Sequence, residues 1–251
     1  MAIVLVTGAT SGFGEACAKK FAANGYDIII TGRRQDRLTA LQQQLQQEHN
    51  IAVLPLCFDV RDQHTVSEVL NNIPDNWKAI DILINNAGLA LGLSSIEDGD
   101  IDDWEGMIDT NVKGLLYVSR VIMPWMKARR SGHIINLGST AAKQVYAKGH
   151  VYCATKAAVD AISQGMRIDL LPYRIKVTAV HPGAAETEFS AVRFKGDKEK
   201  ADSVYKGFQP LSAADVADTI YYCATLPAHV CINDLVITCL QQANAYYFDK
   251  E

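Results

Sequence analysis

Residues 3–14 read Ile-Val-Leu-Val-Thr-Gly-Ala-Thr-Ser-Gly-Phe-Gly, and this stretch decides the fold. Its aliphatic beginning predicts a buried strand, Ile3–Thr7, which leads through Gly8, Gly12 and Gly14 into a helical pattern. Glycines permit a tight turn and let the backbone approach a phosphate at a helix N-terminus. Elsewhere in a chain, three such glycines are more often a plain turn. Between a first strand and a first helix they favour binding of a dinucleotide, here by Gly8, Thr10, Ser11, Gly12, Phe13 and Gly14.

Short aliphatic runs alternate with longer amphipathic runs through the rest of the chain. The further strands predicted are Asp27–Thr31, Ala52–Cys57, Ile80–Asn85, His133–Leu137, Lys176–His181 and Leu235–Thr238. The helices predicted are Gly14–Asn24, Asp36–Glu48, Thr65–Ile73, Ile101–Arg129, Tyr152–Leu171 and Ala213–Leu226. Apolar strands that alternate with helices require a parallel sheet buried on both faces. We therefore predict an α/β fold: a single-domain, Rossmann-type, doubly wound parallel sheet of seven strands, with helices on both faces and a ligand cleft at the carboxyl ends of the strands.

The whole chain, residues 1–251, is expected to form this one domain. We find no internal repeat and no linker rich in Pro, Gly or Ser. Residues 184–210 differ from the rest because they are polar, rich in Lys and Asp, and weakly periodic. A long segment of this kind beside a cleft is usually a mobile lid, so we name residues 184–210 the substrate flap.

Composition excludes several classes of protein. The net charge of −4 offers no basic surface for nucleic acid or for an anionic membrane. No apolar run reaches the roughly 18 residues of a membrane span, and no basic leader precedes the first strand. The six cysteines are scattered without a Cys-x-x-Cys pair, which indicates reduced thiols and a cytoplasmic location. His133 and His150 lack partners at metal-ligand spacing, so no metal is expected.

The second predicted strand ends in Thr31-Gly32-Arg33-Arg34. A site that prefers NAD places a carboxylate here for the ribose 2′-hydroxyl. Arg33 and Arg34 instead offer two guanidinium groups, which match a 2′-phosphate in charge and geometry. An exposed basic turn is the alternative, and Asp36 lies at a helix start where a carboxylate is a routine cap. The pattern favours NADP as cofactor, with NAD tolerated.

Three more short segments follow predicted strands. Asp59-Val60 follows the third strand and could bind an adenine amino group, whereas the small residues of Asn86-Ala87 after the fourth would let backbone approach a ribose. Ser139 follows the fifth strand. Each has an ordinary explanation, since Asp and Asn form caps and turns and Ser ends strands. Their shared position at the carboxyl ends of successive strands indicates one site.

Tyr152 and Lys156 stand four residues apart in a predicted helix, so they project from one face. The Lys156 ammonium is expected to lower the pKa of the Tyr152 phenol from its ordinary value of about 10. A phenol tuned in this way can exchange a proton with a carbon–oxygen centre. The pair alone is a weak signal, because many solvated helix faces carry it. The upstream motifs make the catalytic interpretation the better one.

These residues together resemble the short-chain dehydrogenase/reductase family over nearly the whole chain. The resemblance rests on the glycine turn, Asn85-Asn86-Ala87-Gly88, Asn111, Ser139, Tyr152-x-x-x-Lys156 and Pro182-Gly183-x-x-x-Thr187. Within the family the chain is similar to the NADP-dependent 3-hydroxy acid dehydrogenases, which include serine 3-dehydrogenase and L-allo-threonine dehydrogenase. That narrower similarity rests on residues 86–92, 187–194 and 226–230 and on the arginine turn. Ala184-Ala185 departs from the bulkier aliphatic residues expected there, which leaves the size of the substrate open.

The resemblance implies a role for each matching residue. Tyr152 is the general acid or base, and Lys156 tunes it and binds the nicotinamide ribose. Ser139 binds the substrate oxygen, and Asn111 supports a proton relay from Lys156 to solvent. The nicotinamide carboxamide is held by Pro182, Gly183 and Thr187. The resemblance also implies a homotetramer built on the helices predicted over Tyr152–Leu171 and Ile101–Arg129.

The function expected is NADP-dependent hydride transfer to or from the hydroxyl carbon of a small 3-hydroxy acid or β-hydroxy amino acid. Arg193 in the flap is the candidate partner of the substrate carboxylate; alternatively it pairs with Glu186 or Glu188 and orders the flap. His181 is interpreted as structural, because Tyr152 and Lys156 already fill the acid–base role. Two rival functions are a 3-oxoacyl or general carbonyl reductase and an NADP-sensing regulator without turnover.

Overall fold

The computed structural model describes residues 1–250 and contains one sheet of seven parallel strands. The strands are β1 Ile3–Val6, β2 Asp27–Gly32, β3 Val53–Cys57, β4 Ile80–Asn85, β5 His133–Leu137, β6 Lys176–Pro182 and β7 Asp234–Ile237. Their spatial order is β3-β2-β1-β4-β5-β6-β7. The direction of winding reverses between β1 and β4, and doubly wound sheets open their ligand cleft at such a point. The predicted α/β fold with seven parallel strands is confirmed.

Helices cover both faces of the sheet. They are α1 Gly12–Ala22, α2 Gln35–Glu48, α3 Gln63–Asn71, α4 Ile101–Ile108, α5 Leu115–Arg129, α6 His150–Leu170, α7 Glu188–Arg193, α8 Lys198–Ser203 and α9 Ala213–Thr225. Alternate residues of β1 enter different cores: Val4 and Val6 pack with α1, α2 and α9, whereas Leu5 packs with α3, α5 and α6. Successive side chains of a strand point to opposite faces, so a strand buried on both faces is apolar throughout.

The helix predicted over Ile101–Arg129 is interrupted, so that prediction is wrong in its middle. α4 and α5 are separated by a π-helical turn, Asp109–Gly114. Within it, the Asn111 side chain donates to the Leu89 carbonyl oxygen and accepts from the Leu89 amide, each at 2.8 Å. The hydrophobic pattern runs through the turn and gives no sign of it. Such turns are frequent at functional sites.

The flap contains two short helices, α7 and α8, which its weak periodicity did not predict. Each begins at a capping side chain: Thr187 Oγ1 accepts from the Phe189 amide at 3.2 Å, and Asp197 accepts from the Lys200 amide at 3.1 Å. The mobility of the flap stays a prediction. Among the described residues, no helix is both long and apolar enough to cross a membrane.

Candidate active site

The turn between β1 and α1 has the conformation that its glycines were predicted to allow. Gly8 and Gly12 have φ values of +67° and +55°, which other residues rarely adopt. A Cβ on Gly14 would lie 2.3 Å from the Gly8 carbonyl oxygen, so the turn closes only around glycine. At the start of α1, Ser11 makes no side-chain cap, and the first amides are left for a ligand. This end of the cleft fits a pyrophosphate.

The end of β4 packs directly on the glycine turn. Asn86 donates from Nδ2 to the Thr7 carbonyl oxygen at 2.8 Å, and the Ala87 amide donates to the Thr7 hydroxyl at 3.0 Å. A Cβ on Gly8 would come within 3.0 Å of the Ala87 Cα. The small residues after β4 are therefore required by this close approach, and Asn86 and Ala87 both line the cleft.

Arg33 and Arg34 line the same cleft. A third guanidinium group, that of Arg37, lies beside Arg34, since both donate to the Thr10 carbonyl oxygen. Arg34 crosses from β2 to the glycine turn, where Nη2 lies 2.9 Å from the hydroxyl oxygens of both Thr10 and Ser11. Arg37 donates to the Thr10 carbonyl oxygen at 3.3 Å from the first turn of α2. These groups surround the end of the turn with positive charge, which suits a 2′-phosphate.

The arginine groups also reach the flap. Glu188 Oε1 accepts from Arg37 at 2.7 Å, and Glu188 Oε2 accepts from Arg34 at 3.1 Å. The hydrogen bond from Arg37, together with that from Arg34, holds the pKa of Glu188 below its usual range despite partial burial. Thr187 lies opposite the glycine turn, since a Cβ on Gly12 would be 3.5 Å from the Thr187 Cβ. The start of α7 thus closes over the cleft.

Asp59 and Val60 lie in the cleft wall after β3, as predicted. The Asp59 carboxylate already has a partner: Arg61 donates to Oδ2 from Nη2 at 2.7 Å and from Nε at 3.0 Å. Arg33 approaches the same carboxylate at 3.8 Å. Asp59 thus orients two arginines while it faces the cleft, and Arg61 is a residue that the sequence motifs did not single out.

Tyr152 and Lys156 lie one turn apart on α6 and are both buried. Lys156 Nζ donates to the Leu137 carbonyl oxygen at 2.8 Å and lies 5.9 Å from the centroid of the Tyr152 ring. Burial raises the pKa of Tyr152 above its ordinary value; nearby Tyr146 adds to the rise, whereas the Arg193 charge and a hydrogen bond with Ser139 oppose it. Burial lowers the pKa of Lys156 to about 8.

The expectation that Lys156 lowers the pKa of Tyr152 is therefore not met in this structure. The reason is that the ammonium group is directed at the Leu137 carbonyl oxygen, while burial acts on the phenol. The Tyr152 hydroxyl is held in its protonated form at neutral pH. A buried, protonated phenol is suited to donate a proton to a developing oxyanion.

Ser139 contacts the Tyr152 side chain, and Asn111 is linked to the Tyr152 backbone through Thr155. The Ser139 hydroxyl caps a short turn after β5 by accepting from the Ala141 amide at 3.1 Å. Asn111 donates to the Thr155 hydroxyl at 3.0 Å, and that hydroxyl donates to the Tyr152 carbonyl oxygen at 2.8 Å. Thr155, which no motif indicated, therefore joins the π-helical turn to α6.

Arg193, on the flap helix α7, lies over Tyr152. Its guanidinium carbon is 5.0 Å from the centroid of the Tyr152 ring and 5.4 Å from that of Phe189, and Nη2 donates to the Tyr146 hydroxyl. Nε is buried and has no hydrogen-bond partner. Across residues 1–250 no carboxylate forms an ion pair with this group, and Glu188 is bound to Arg34 and Arg37 instead. The alternative that Glu186 or Glu188 pairs with Arg193 is therefore wrong.

Comparison with known proteins agrees with this geometry. A family model described as short chain dehydrogenase matches residues 2–198. The chain belongs to the short-chain dehydrogenase family. It is 48% identical over 244 residues to the NADP-dependent 3-hydroxy acid dehydrogenase YdfG of Salmonella typhi, with 97% of each chain covered. It is 45% identical over 251 residues to sulfoacetaldehyde reductase 2 of Chromohalobacter salexigens, with 99% of each covered.

Solved structures support the same placement. The closed form of serine dehydrogenase complexed with NADP⁺ superimposes with a TM-score of 0.92 at 46% identity, and 99% of each chain is covered. Serine dehydrogenase from Escherichia coli superimposes with a TM-score of 0.81 at 42% identity, covering 96% of this chain and 99% of that one. The sequence resemblance to short-chain dehydrogenases is confirmed.

The last predicted segment of the dehydrogenase site begins at Pro182, the final residue of β6. Thr187 lines the cleft, whereas Pro182 and Gly183 do not. Gly183 packs against Gln242, because a Cβ there would lie 2.1 Å from Gln242 Oε1. The same oxygen accepts from the Ala184 amide at 2.8 Å. Gln242 is buried and fixes the backbone that leads into the flap, and its sequence position gave no signal of this contact.

Proposed function

We propose that this short-chain dehydrogenase transfers a hydride between NADP and the hydroxyl carbon of a small 3-hydroxy acid or β-hydroxy amino acid, of the serine, allo-threonine or 3-hydroxyisobutyrate type. Its place in the family makes it an oxidoreductase acting on CH–OH groups. The observation that carries the choice of substrate is the Arg193 guanidinium, which lies 5.0 Å from the Tyr152 ring without a carboxylate partner among the described residues.

NADP is the cofactor, in agreement with the relatives that use it. The glycine turn and the free amides of α1 would hold the pyrophosphate, while Arg33, Arg34 and Arg37 would hold the 2′-phosphate. Asn86 and Ala87 would border a ribose, and Lys156 would bind the nicotinamide ribose. Thr187, with the backbone after Pro182-Gly183, would hold the carboxamide. When bound, the nicotinamide supplies or accepts the hydride.

The chain's own residues handle the proton and the charge on oxygen. In carbonyl reduction, the Tyr152 hydroxyl donates its proton to the substrate oxygen; in alcohol oxidation, the phenolate takes the proton back. The Ser139 hydroxyl donates to the same oxygen and stabilises its negative charge. Lys156, whose pKa of about 8 lets it exchange protons near neutrality, passes protons towards solvent along groups that Asn111 orients. The raised pKa of Tyr152 suits the acid role in particular.

Arg193 would bind the carboxylate of the substrate. The Arg193 side chain is half-buried, and a cation partly removed from water is stabilised by an anion or by several hydrogen bonds. Here the aromatic rings and the Tyr146 hydroxyl leave the buried Nε atom without a partner. A planar guanidinium group offers two parallel N–H donors to a carboxylate, and such a pair would fix the carbinol carbon at a set distance from Tyr152. The flap would bring this group over the substrate when it closes.

Rival functions make different demands on this site. A 3-oxoacyl or general carbonyl reductase needs no charged partner in the flap, so Arg193 would be without a ligand there. A regulator without turnover has no use for a buried acid, yet Ser139, Tyr152 and Lys156 are all present. A sulfonate is a second anion that the guanidinium group could bind, and one relative is a sulfoacetaldehyde reductase.

A substrate panel with a matched pair of variants tests this proposal. The panel contains L-serine, L-allo-threonine, 3-hydroxyisobutyrate, 3-hydroxypropionate, sulfoacetaldehyde and an uncharged ketone, with NADPH absorbance as the signal. Arg193→Met should raise KM for anionic substrates by about 10- to 100-fold, the equivalent of 1.5–3 kcal/mol for a charge-assisted contact, and should spare the ketone. Lys195→Met removes a flap charge that pairs with Asp100 and Asp103. This variant should change neither KM for the anionic substrates nor turnover of the ketone.

Equal losses on charged and uncharged substrates would assign Arg193 to holding the flap closed. Efficient turnover of the ketone with no anionic substrate accepted would favour a general carbonyl reductase. NADP binding without turnover of any substrate would favour the regulator. We also propose a cytoplasmic location, which the six free cysteines support.

A further inference from the structure

A polar cluster lies behind Ser139, outside the cleft. It consists of Lys143, Asp160, His181 and Asp234, and we call it the rear cluster. Four separate parts of the chain supply it: the segment after β5, the middle of α6, the end of β6 and the start of β7. His181 is completely buried, whereas the other three side chains are partly exposed. The site motifs did not include this cluster.

Inside the rear cluster, Lys143 joins the two carboxylates. Its Nζ donates to Asp160 Oδ2 at 2.9 Å and also bonds Asp234. His181 Nε2 faces the same carboxylates, 3.6 Å from Asp234 Oδ2 and 3.8 Å from Asp160 Oδ1; both distances exceed a hydrogen bond, and Nε2 has no hydrogen-bond partner. Asp160, His181 and Asp234 are spaced as metal ligands would be. The Lys143 ammonium group already supplies the cation between the carboxylates, so we assign no metal here.

The other side of the His181 ring contacts the backbone at Ser139. Nδ1 lies 3.3 Å from the Ser139 amide nitrogen and 3.2 Å from the Ser139 carbonyl oxygen. The ring also packs against Gly138, where a Cβ would be 2.3 Å from Nδ1. The imidazole therefore stands between the other three side chains of the rear cluster and Ser139, whose hydroxyl faces Tyr152.

The charges around the ring favour one position for its hydrogen. Carboxylate oxygens are negative and only accept hydrogen bonds, so we assign the hydrogen to Nε2, which faces two of them. The ring is neutral when buried, because burial disfavours its charged form, and Nδ1 then has a free lone pair. That lone pair accepts the Ser139 amide hydrogen. A second proton on the ring would occupy Nδ1, abolish this bond and turn Nδ1 towards the Ser139 carbonyl oxygen.

We propose that His181 is a positioning residue, which holds the Ser139 backbone through Nδ1 and releases it when the ring is protonated. This inference rests on the proposed function, in which the Ser139 hydroxyl binds the substrate oxygen. The electrostatic potential at the ring is set by the charges of Lys143, Asp160 and Asp234. We then expect activity to fall at acid pH, with the origin of the fall behind the cleft and not in Tyr152.

Two substitutions at His181 separate positioning from packing. His181→Asn places a carbonyl oxygen close to the position of Nδ1 and cannot titrate. His181→Leu keeps the apolar volume but offers no acceptor. We expect kcat within about threefold of the wild type for His181→Asn and at least tenfold lower for His181→Leu, with NADP affinity unchanged in both. Equal kcat for the two variants, with thermal unfolding showing both folded, would overturn the positioning role.

The pH profile of kcat supplies a readout that packing alone would not move. It is measured in the direction of carbonyl reduction, where Tyr152 must be protonated and so contributes no loss at acid pH. The positive charge of Lys143 lowers the pKa of His181, and the carboxylates of Asp234 and Asp160 raise it. Lys143→Met should therefore shift the acid limb to higher pH and Asp234→Asn should shift it to lower pH, each by about half a unit to one unit. His181→Asn should abolish the limb.

The outcomes distinguish this inference from the proposed function. An active wild-type enzyme whose acid limb is the same in Lys143→Met, Asp234→Asn and His181→Asn would overturn the role of His181 and leave the proposed function standing. Full activity of Ser139→Ala would instead overturn the role of Ser139 and, with it, the reason for positioning it. Shifts of the same sign in the two charge variants would also contradict the inference.

Discussion

Arg37 donates a hydrogen bond of 2.7 Å to Glu188 and so joins α2 to the flap. Arg34 shares the same carboxylate at 3.1 Å. A 2′-phosphate bound at these guanidinium groups would lie beside a carboxylate of the flap and would compete with it for the same donors. Binding of the cofactor would therefore be coupled to the position of the flap through these hydrogen bonds.

Cofactor preference should follow the arginines. Replacing both Arg33 and Arg34 by Ala should lower kcat/KM for NADP by about 100-fold or more, since each charge-assisted contact contributes roughly 1.5–3 kcal/mol, and should lower that for NAD far less. Arg37→Ala should act in the same direction. Initial rates with NADP and with NAD give the ratio of the two kcat/KM values. A similar loss with both cofactors would show that the arginines only order the turn.

Tyr152→Phe should remove nearly all turnover, about 1,000-fold or more, because the Phe ring has no hydroxyl to transfer a proton to the substrate oxygen. The ring and its packing against Phe189, with centroids 5.6 Å apart, should survive. NADP affinity, measured by fluorescence titration, should then stay close to that of the wild type. A variant that kept most of its rate would contradict the assignment of Tyr152.

Buried His133 should make the fold sensitive to acid. Burial, with a smaller effect of Lys176, lowers its pKa to about 3, and Nε2 lies 2.7 Å from the Thr178 hydroxyl. Between the unfolded pKa of about 6.5 and the folded pKa, only the unfolded chain binds the proton, so stability falls as pH falls. The free energy of unfolding should lose up to about 1.4 kcal/mol per pH unit from this residue.

The test compares His133→Gln with His64→Gln, whose histidine has an 87% exposed side chain. Denaturant unfolding at several pH values and one protein concentration gives the slope of the free energy of unfolding against pH. His133→Gln should flatten the acid slope, and His64→Gln should leave it unchanged. Equal slopes in the wild type and both variants would mean that His133 does not stay neutral in the folded chain.

Assembly is expected to use the outer faces of α5 and α6. On α5, Leu115 and Val118 are buried in the core, but Leu116 is exposed. On α6, Ala154, Ala157 and Ala161 are exposed small residues. Ala157→Arg places a long charged side chain on this face without disturbing the core. Light scattering should give a tetramer mass for the wild type and a smaller mass for Ala157→Arg; a wild-type monomer at micromolar concentration would contradict the tetramer.

The features that were predictable from the sequence are those that depend on local patterns of residues. Strands, helices and the glycine turn follow from periodicity and from backbone freedom, and the structure confirms their order. Contacts between distant segments were not predictable in this way. Arg37 occupies a helix position with no motif, and Gln242 reaches Ala184 across 58 residues of chain. The π-helical turn at Asn111 was missed because the same apolar residues suit a continuous helix.

The prediction for Lys156 shows a second property that sequence spacing cannot determine, namely where a side chain ends. Spacing correctly placed it one turn after Tyr152, but spacing says nothing about where a long flexible side chain ends. Competition between the Leu137 carbonyl oxygen and the phenol decides that position, and both acceptors lie in the interior. Such a competition depends on three-dimensional distances and on burial.

The hydrogen bond from Lys156 to Leu137 has a consequence for mutagenesis. It ties α6 to the end of β5 inside the protein, so this lysine is an anchor of the framework as well as a charge. Removing it would leave a buried carbonyl oxygen unsatisfied, at a cost of about 1–3 kcal/mol in folding. A Lys156→Ala enzyme could therefore be inactive for two reasons: α6 is held less firmly, and the group that carries the proton is missing. Its free energy of unfolding must be measured together with its rate before the loss of activity is assigned to the ammonium group.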